Sequence, residues 1–166
     1  NVTFKVMESL NHVKMKDVSV ELILGPVNSH IEELKESANK MTCRAMVRVA
    51  PKNVPELMEW ADIAITAAGT TCWELAFMGV PALTVTTAEN QLEVARELDR
   101  IGLFRSLGWH GEEFMSLLAK EVAELIDSPV LRKQKSRQGR QLIDGQGVTM
   151  LVDTIISYDD IGSRKR

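Results

Sequence analysis

Residues Trp60–Gln91, WADIAITAAGTTCWELAFMGVPALTVTTAENQ, carry an apolar run, a turn of small residues, a helix and a second apolar run in immediate succession. Ile63, Ala64 and Ile65 form the first apolar, strand-like segment. Ala67, Ala68 and Gly69 are small enough to let a ligand approach the backbone closely. The helix that follows opens Thr71-Cys72-Trp73-Glu74 and is stopped by Gly79, which can turn left-handed, and Pro81, which cannot continue a helix. Free amides at its start, together with the helix dipole, favour an anion such as a diphosphate at the turn Gly69–Thr71.

The same alternation runs outward in both directions. Val18–Leu24, Ala45–Val49, Ile63–Thr66, Ala82–Thr86 and Leu103–Leu107 read as strands. Helical patterns fill the gaps at Thr3–Val13, Ser29–Asn39, Val54–Trp60, Thr71–Met78, Glu89–Ile101, Glu113–Ile126, Val130–Leu142 and Val148–Ser157, the first with Phe4, Met7, Leu10 and Met15 near one face. Strands with nearly continuous apolar cores, alternating with helices, predict an α/β fold: a Rossmann-like, doubly wound parallel sheet covered on both faces. Ligands in such sheets bind beyond the carboxyl ends of the strands. The chain opens on a helix, without the strand and glycine-rich turn that usually begin such a sheet, so the sheet is expected to lack its first strand. Residues 1–157 are assigned to this domain, and residues 158–166, ending Arg-Lys-Arg, to a basic, disordered tail.

A chain of 166 residues with 45% hydrophobic content can bury one core, and a net charge of −3 offers no broad attraction for nucleic acid or an anionic membrane. Acidic side chains predominate in the middle of the chain and basic ones towards its end. Cys43 and Cys72 are too few and too far apart for a zinc site or a disulfide scaffold and read as reduced thiols. No apolar run reaches membrane-spanning length, so a cytoplasmic protein without membrane insertion is expected. His12, His30 and His110 are scattered, and Arg132, Lys133, Lys135, Arg137 and Arg140 share one helix, read as a solvated basic face. No metal, no cofactor and no nucleic-acid partner is expected.

Three loops at strand carboxyl ends are candidate binding segments, and each has a purely structural alternative. Thr71-x-x-Glu74 fits a capping box, in which Glu74 reaches back to the start of the helix; the same carboxylate could instead accept hydrogen bonds from the vicinal hydroxyls of a ribose. Glu89, Asn90 and Gln91 follow a strand, and the two amides could read sugar hydroxyls or an acetamido group; the alternative is a helix start capped by Thr87 with Glu89 complementing the dipole. The segment Val49–Val54, VAPKNV, could present backbone groups to a base edge through Asn53 and Val54, Pro51 having no amide to give; the alternative is a turn capped by Asn53. Asp144-Gly145-Gln146-Gly147 reads as a turn between the last two helices.

In combination, Gly69–Glu74, Gly79–Pro81, Ala88–Gln91 and Asp144–Gly147 resemble the C-terminal half of GT-B-type nucleotide-sugar enzymes over about residues 3–157. The likeness is nearest to the UDP-sugar hydrolases of pseudaminic acid synthesis and the spore-coat polysaccharide proteins, with the GlcNAc transferase of peptidoglycan precursor synthesis as a broader relative. The resemblance implies a UDP-sugar ligand: diphosphate at Gly69, Thr70 and Thr71, ribose at Glu74, uracil at the loop carrying Asn53 and Val54, and sugar at Glu89, Asn90 and Gln91. It implies the UDP-amino-sugar-binding half of a hydrolase, or alternatively the donor domain of a glycosyltransferase or a non-catalytic module completed by a partner chain. The N-terminal domain of that family, with its proposed catalytic His, has no counterpart here, so no catalytic residue is assigned and the isolated chain is expected to be inactive until a missing domain or partner chain completes it.

Overall fold

The computed structural model describes residues 1–13 and 17–163, with side chains up to residue 157; Met15 lies outside the described residues. In chain order the elements are α1 (Val2–Asn11), β1 (Ser19–Leu24), α2 (Ile31–Ala38), β2 (Arg44–Val49), α3 (Val54–Trp60), β3 (Ala64–Ala67), α4 (Thr71–Met78), β4 (Ala82–Thr86), a 3₁₀ turn (Glu89–Gln91), α5 (Leu92–Arg100), β5 (Arg105–Trp109), α6 (Phe114–Asp127), α7 (Pro129–Leu142) and α8 (Gly147–Ser163). The α/β alternation expected from the sequence is present. The fifth strand starts at Arg105 rather than Leu103, because Leu103 and Phe104 are spent on the core before the strand begins. The last helix continues beyond Ser157 to Ser163.

All strand pairs are parallel, but they form two sheets among the described residues: β1–β2, and β3–β4–β5 in that order. The larger sheet is doubly covered. Leu83, Val85 and Leu107 face a core shared with α1 and α6, while Ala82 faces a second core built with α4 and α5 around Leu98 and Phe104. β4 is buried at every position, as a central strand between helical layers should be. The smaller sheet departs from the expectation of cover on both faces. Leu22 and Leu24 pack beneath α1 and α2, whereas Ile23 (47% exposed) and Met46 (36% exposed) stand on an uncovered face. Alternation of buried and exposed positions in β1 and β2 follows directly.

The basic helix α7 corrects a second expectation. It lies across the carboxyl-terminal ends of three other helices, where backbone carbonyls lack intrahelical partners. Arg132 donates to the carbonyls of Leu125 and Ile126 in the last turn of α6, the latter at 2.8 Å. Gln138 donates to Ile101 at 2.6 Å and Lys135 to Gly102 at 2.9 Å, both just past α5, and Arg140 donates to Met78, the last residue of α4, at 2.9 Å. Lys135 is only half-exposed, and its burial lowers its pKa. Cations at these positions also complement the helix dipoles. Lys133 and Arg137 keep the solvated role read from the sequence. Close packing completes the strap: a Cβ on Gly139 would meet the carbonyl oxygen of Ala76 in α4 at 2.7 Å.

Candidate functional site

The three candidate loops all leave the carboxyl ends of parallel strands. Two are direct neighbours. β3 and β4 pair with Ala67 opposite Val85, and the amide of Ala68 donates to Val85 at 3.2 Å, so Gly69–Thr71 and Thr87–Gln91 emerge side by side. The third leaves β2, in the other sheet, but Val54 packs against the core that contains Cys72, which brings the start of α3 to the start of α4. The segments carrying Gly69, Thr70, Thr71 and Glu74, Asn53 and Val54, and Glu89, Asn90 and Gln91 thus share one end of the fold.

At the start of α4 the capping box is not formed. Thr70, rather than Thr71, is the residue at the cap; its backbone is already helical, and its side chain makes no capping hydrogen bond. The helix tightens instead, with Cys72 donating to Gly69 at 3.1 Å and Trp73 to Thr70 at 3.0 Å. Glu74 is exposed and has no hydrogen-bond or ion-pair partner among the described residues. A Cβ built on Gly69 would meet nothing within 4 Å, and its φ does not lie in the left-handed region, so neither backbone conformation nor packing calls for glycine there. What remains is a tight turn with free polar groups, in the sense of the helix dipole that favours an anion. Beneath it, Cys72 is fully buried, and desolvation pushes its thiol up to about 11, which removes it as a nucleophile at neutral pH.

The loop after β4 uses one candidate side chain for its own shape. Gln91 Oε1 accepts from the amide of Thr87 at 2.9 Å and from its hydroxyl at 3.1 Å, so the amide side chain caps the turn and Thr87 is the group being capped, the reverse of the sequence expectation. Glu89 and Asn90 are exposed on the 3₁₀ turn. At the start of α3, Asn53 makes no side-chain capping bond either. The preceding Ala50 has φ +44°, a left-handed conformation that costs a non-glycine residue about 1 kcal/mol or more.

Three features of this end were not read from the sequence. Ala50 carries strain that its residue type does not announce. Among the described residues, the hydroxyl of Thr86 is buried without a partner at the carboxyl end of β4, and Nδ1 of His110 is likewise unpartnered just past β5. For Thr86 the signal was available: a hydroxyl at the end of a central strand that is otherwise apolar except for Thr84. Lys5 of α1 donates to the carbonyl of His110 at 2.7 Å, tying α1 to the same end of the molecule.

The glycosyltransferase family 28 C-terminal domain matches residues 5–145 of the chain. The spore coat polysaccharide biosynthesis protein SpsG of Bacillus subtilis (strain 168) is 27% identical over 146 residues, covering 87% of this chain and 43% of that protein. Among solved structures, WaaG, a glycosyltransferase involved in lipopolysaccharide biosynthesis, superposes with a TM-score of 0.70 at 17% identity over 87% of this chain and 40% of its own. MurG of Acinetobacter baumannii gives 0.69 at 17% identity over 94% and 45%. The chain therefore spans less than half the length of each of these proteins, and the structural likenesses establish a GT-B-type, Rossmann-like α/β fold.

Proposed function

The chain belongs to the glycosyltransferase family 28 C-terminal domain, and from that premise we propose that it is the nucleotide-sugar-binding half of a glycosyltransferase acting in surface polysaccharide biosynthesis. Transfer takes the place of the hydrolysis expected from the sequence resemblance, for which these relatives give no support. The observation that carries the reading is the start of α4, where the cap is unfilled, Glu74 is unpartnered and Gly69 faces open space, beside the loop after β4.

In this reading the diphosphate lies over Gly69, Thr70 and Thr71, where the amides of Thr70 and Thr71 and the helix dipole meet its charge, the Gly69 amide already donating to Ala67 at 2.8 Å. Glu74, one turn into α4, accepts from the ribose hydroxyls. Asn53 and Val54 face the base, taken as uracil, and Glu89 and Asn90 approach the sugar. Gln91 supports that loop through Oε1 and offers its Nε2. The chain supplies the donor site, and a second domain supplies the acceptor and the base that activates it. No helix of the described residues is long and apolar enough to cross a membrane, and reduced cysteines fit a cytoplasmic setting.

Calorimetric titration with UDP and UDP-GlcNAc tests the assignment. Binding by the chain should weaken by about 1–3 kcal/mol in Glu74→Ala, the scale of a hydrogen bond to a charged group. A folded chain that binds neither ligand overturns the reading of an autonomous donor site. Equal binding by the variant removes Glu74 from it.

A further inference from the structure

The end of β5 borders the candidate site on a side that the three candidate loops leave open. In the larger sheet the order β3–β4–β5 sets the turn Gly69–Thr71, the loop Thr87–Gln91 and the end of β5 in succession along one carboxyl edge. Neighbouring strands lie about 4.8 Å apart, so β5 stands about 10 Å from β3. Trp109 ends β5, and its partner across the ladder is Thr86, the residue from which the loop Thr87–Gln91 departs.

Trp109 reaches this place through an irregularity in its strand. Thr84 pairs with Ser106 and Thr86 with Trp109, so the three steps from 106 to 109 answer the two steps from 84 to 86. The extra residue makes a bulge, with Gly108 at φ +67°, a conformation that glycine adopts without strain. In a regular strand Trp109 would share the face of Leu107, which packs into the core with α1 and α6. The bulge turns it to the face of Thr86 instead, the face on which Ala82 meets α4 and α5, and leaves the residue 46% exposed. Bulges at sheet edges re-aim side chains in this way beside binding sites. Two polar atoms add a second sign. Among the described residues, the buried side-chain polar atoms without a partner are Thr86 Oγ1, on the ladder partner of Trp109, and His110 Nδ1, on its chain neighbour. Thr86 is only 1% exposed, and a polar group so deep is costly to leave unpaired.

We infer that Trp109 is the platform for the sugar ring of the bound nucleotide sugar, a pyranose that lays one C–H face on the indole while its hydroxyls meet the loop Thr87–Gln91. The inference rests on the nucleotide-sugar reading above and adds a specificity-determining residue to it. The order of the loops selects the ring: with the base at Asn53 and Val54 and the diphosphate at Gly69–Thr71, the sugar is the part of the ligand that extends towards β5. Its chemistry fits the corner. A pyranose has a polar rim and apolar faces, and here Glu89 and Asn90 stand exposed on the 3₁₀ turn with a flat apolar ring on the neighbouring strand. Gln91 Oε1 is engaged by Thr87, which leaves Nε2 to donate to a hydroxyl. Tryptophan offers its contact area at low entropic cost, having two side-chain torsions to fix.

Calorimetry of the 166-residue chain with UDP and with UDP-GlcNAc tests the platform separately from the nucleotide site. Trp109→Ala should weaken UDP-GlcNAc by about tenfold, the upper range for an aromatic contact, and leave UDP within about twofold, as expected of a change that touches nothing the nucleotide uses. Trp109→Leu keeps apolar bulk without a flat ring and should behave as the alanine variant does, whereas Trp109→Phe should recover most of the loss. A second readout leaves Trp109 in place: with Trp60→Phe and Trp73→Phe it is the single tryptophan of the chain, and its emission should shift to the blue with UDP-GlcNAc but not with UDP. That readout decides the matter if the Trp109 variants do not fold. Equal losses for the two ligands, no loss for either, or an emission that does not respond to UDP-GlcNAc overturns the platform, while Glu74-dependent UDP binding keeps the nucleotide reading standing. A folded chain that binds neither ligand overturns both.

Discussion

The two ends of α4 are built to opposite standards. At its carboxyl end Gly79 takes φ +72°, its amide donates to Ala76 at 3.0 Å, Val80 donates to Leu75 at 2.8 Å, and Arg140 donates to Met78. Gly139 lets α7 press against Ala76. Every device for closing a helix end is present. At the amino end, eight residues away, the side chain at the cap makes no bond, the box partner Glu74 is free and the turn glycine faces nothing. One short helix therefore closes its carboxyl end completely, while its amino end, tightened by the bonds of the Cys72 and Trp73 amides to Gly69 and Thr70, leaves the Thr70 side chain out of the cap. Helices α2, α3, α5 and α6 also start without a side-chain cap, so what sets α4 apart is the closure of its carboxyl end and the place of its amino end beside the loop after β4, where the nucleotide is proposed to bind.

The comparison breaks most visibly at the closed end. Gly139→Val pushes a branched side chain into the backbone of Ala76, which cannot rotate away, and should lower stability by about 3 kcal/mol, the upper range for overpacking. Urea denaturation should show a lower midpoint at unchanged slope. A loss below about 1 kcal/mol, the helix propensity that glycine already forfeits, would mean that α7 is not held against α4 as the structure has it.

Gly69→Ala is the counterpart at the open end, smaller and different in kind. Its Cβ meets nothing in the protein, so stability should stay within about 0.5 kcal/mol of the parent, the usual range for a substitution away from packed features. UDP binding should weaken about tenfold, or about 1.4 kcal/mol, because the added methyl stands where a phosphate would approach the backbone. Calorimetry beside denaturation separates the two effects. If stability falls and binding does not, Gly69 is a structural residue like Gly139.

How much of this was legible in the sequence depends on how local the cause was. α3, α4 and β4 begin and end where predicted, because Gly79, Pro81 and the flanking turns punctuate the chain at those points. Strand identity was readable from apolar runs, but strand pairing was not: nothing in Val20–Leu24 or Ile63–Ala67 says whether the two are neighbours or lie in separate sheets. The basic residues of α7 were misread because their partners, the carbonyls of Met78, Ile101, Gly102, Leu125 and Ile126, lie on other elements, and a charge pattern on one helix is silent about them. At the candidate site the motif Thr71-x-x-Glu74 allowed two geometries. The choice between them rested on a backbone torsion at Thr70, which residue type does not fix.

The finest test uses charge alone. Thr70→Asp places a carboxylate at the amino end of α4 without changing the size of the side chain much. Interaction with the helix dipole does not require the side chain to reach a particular amide, so stability should rise by about 0.3–1 kcal/mol. The same charge competes for the position assigned to the diphosphate, so UDP affinity should fall while the fold gains. At 1 M salt, where the Debye length is about 3 Å, both effects should shrink, and a purely steric cause would leave the binding loss intact. Opposite signs in stability and affinity from one substitution are what an amino end left open for an anion requires. A terminus already satisfied within the chain would gain no stability, and an anion held elsewhere would leave the affinity unchanged.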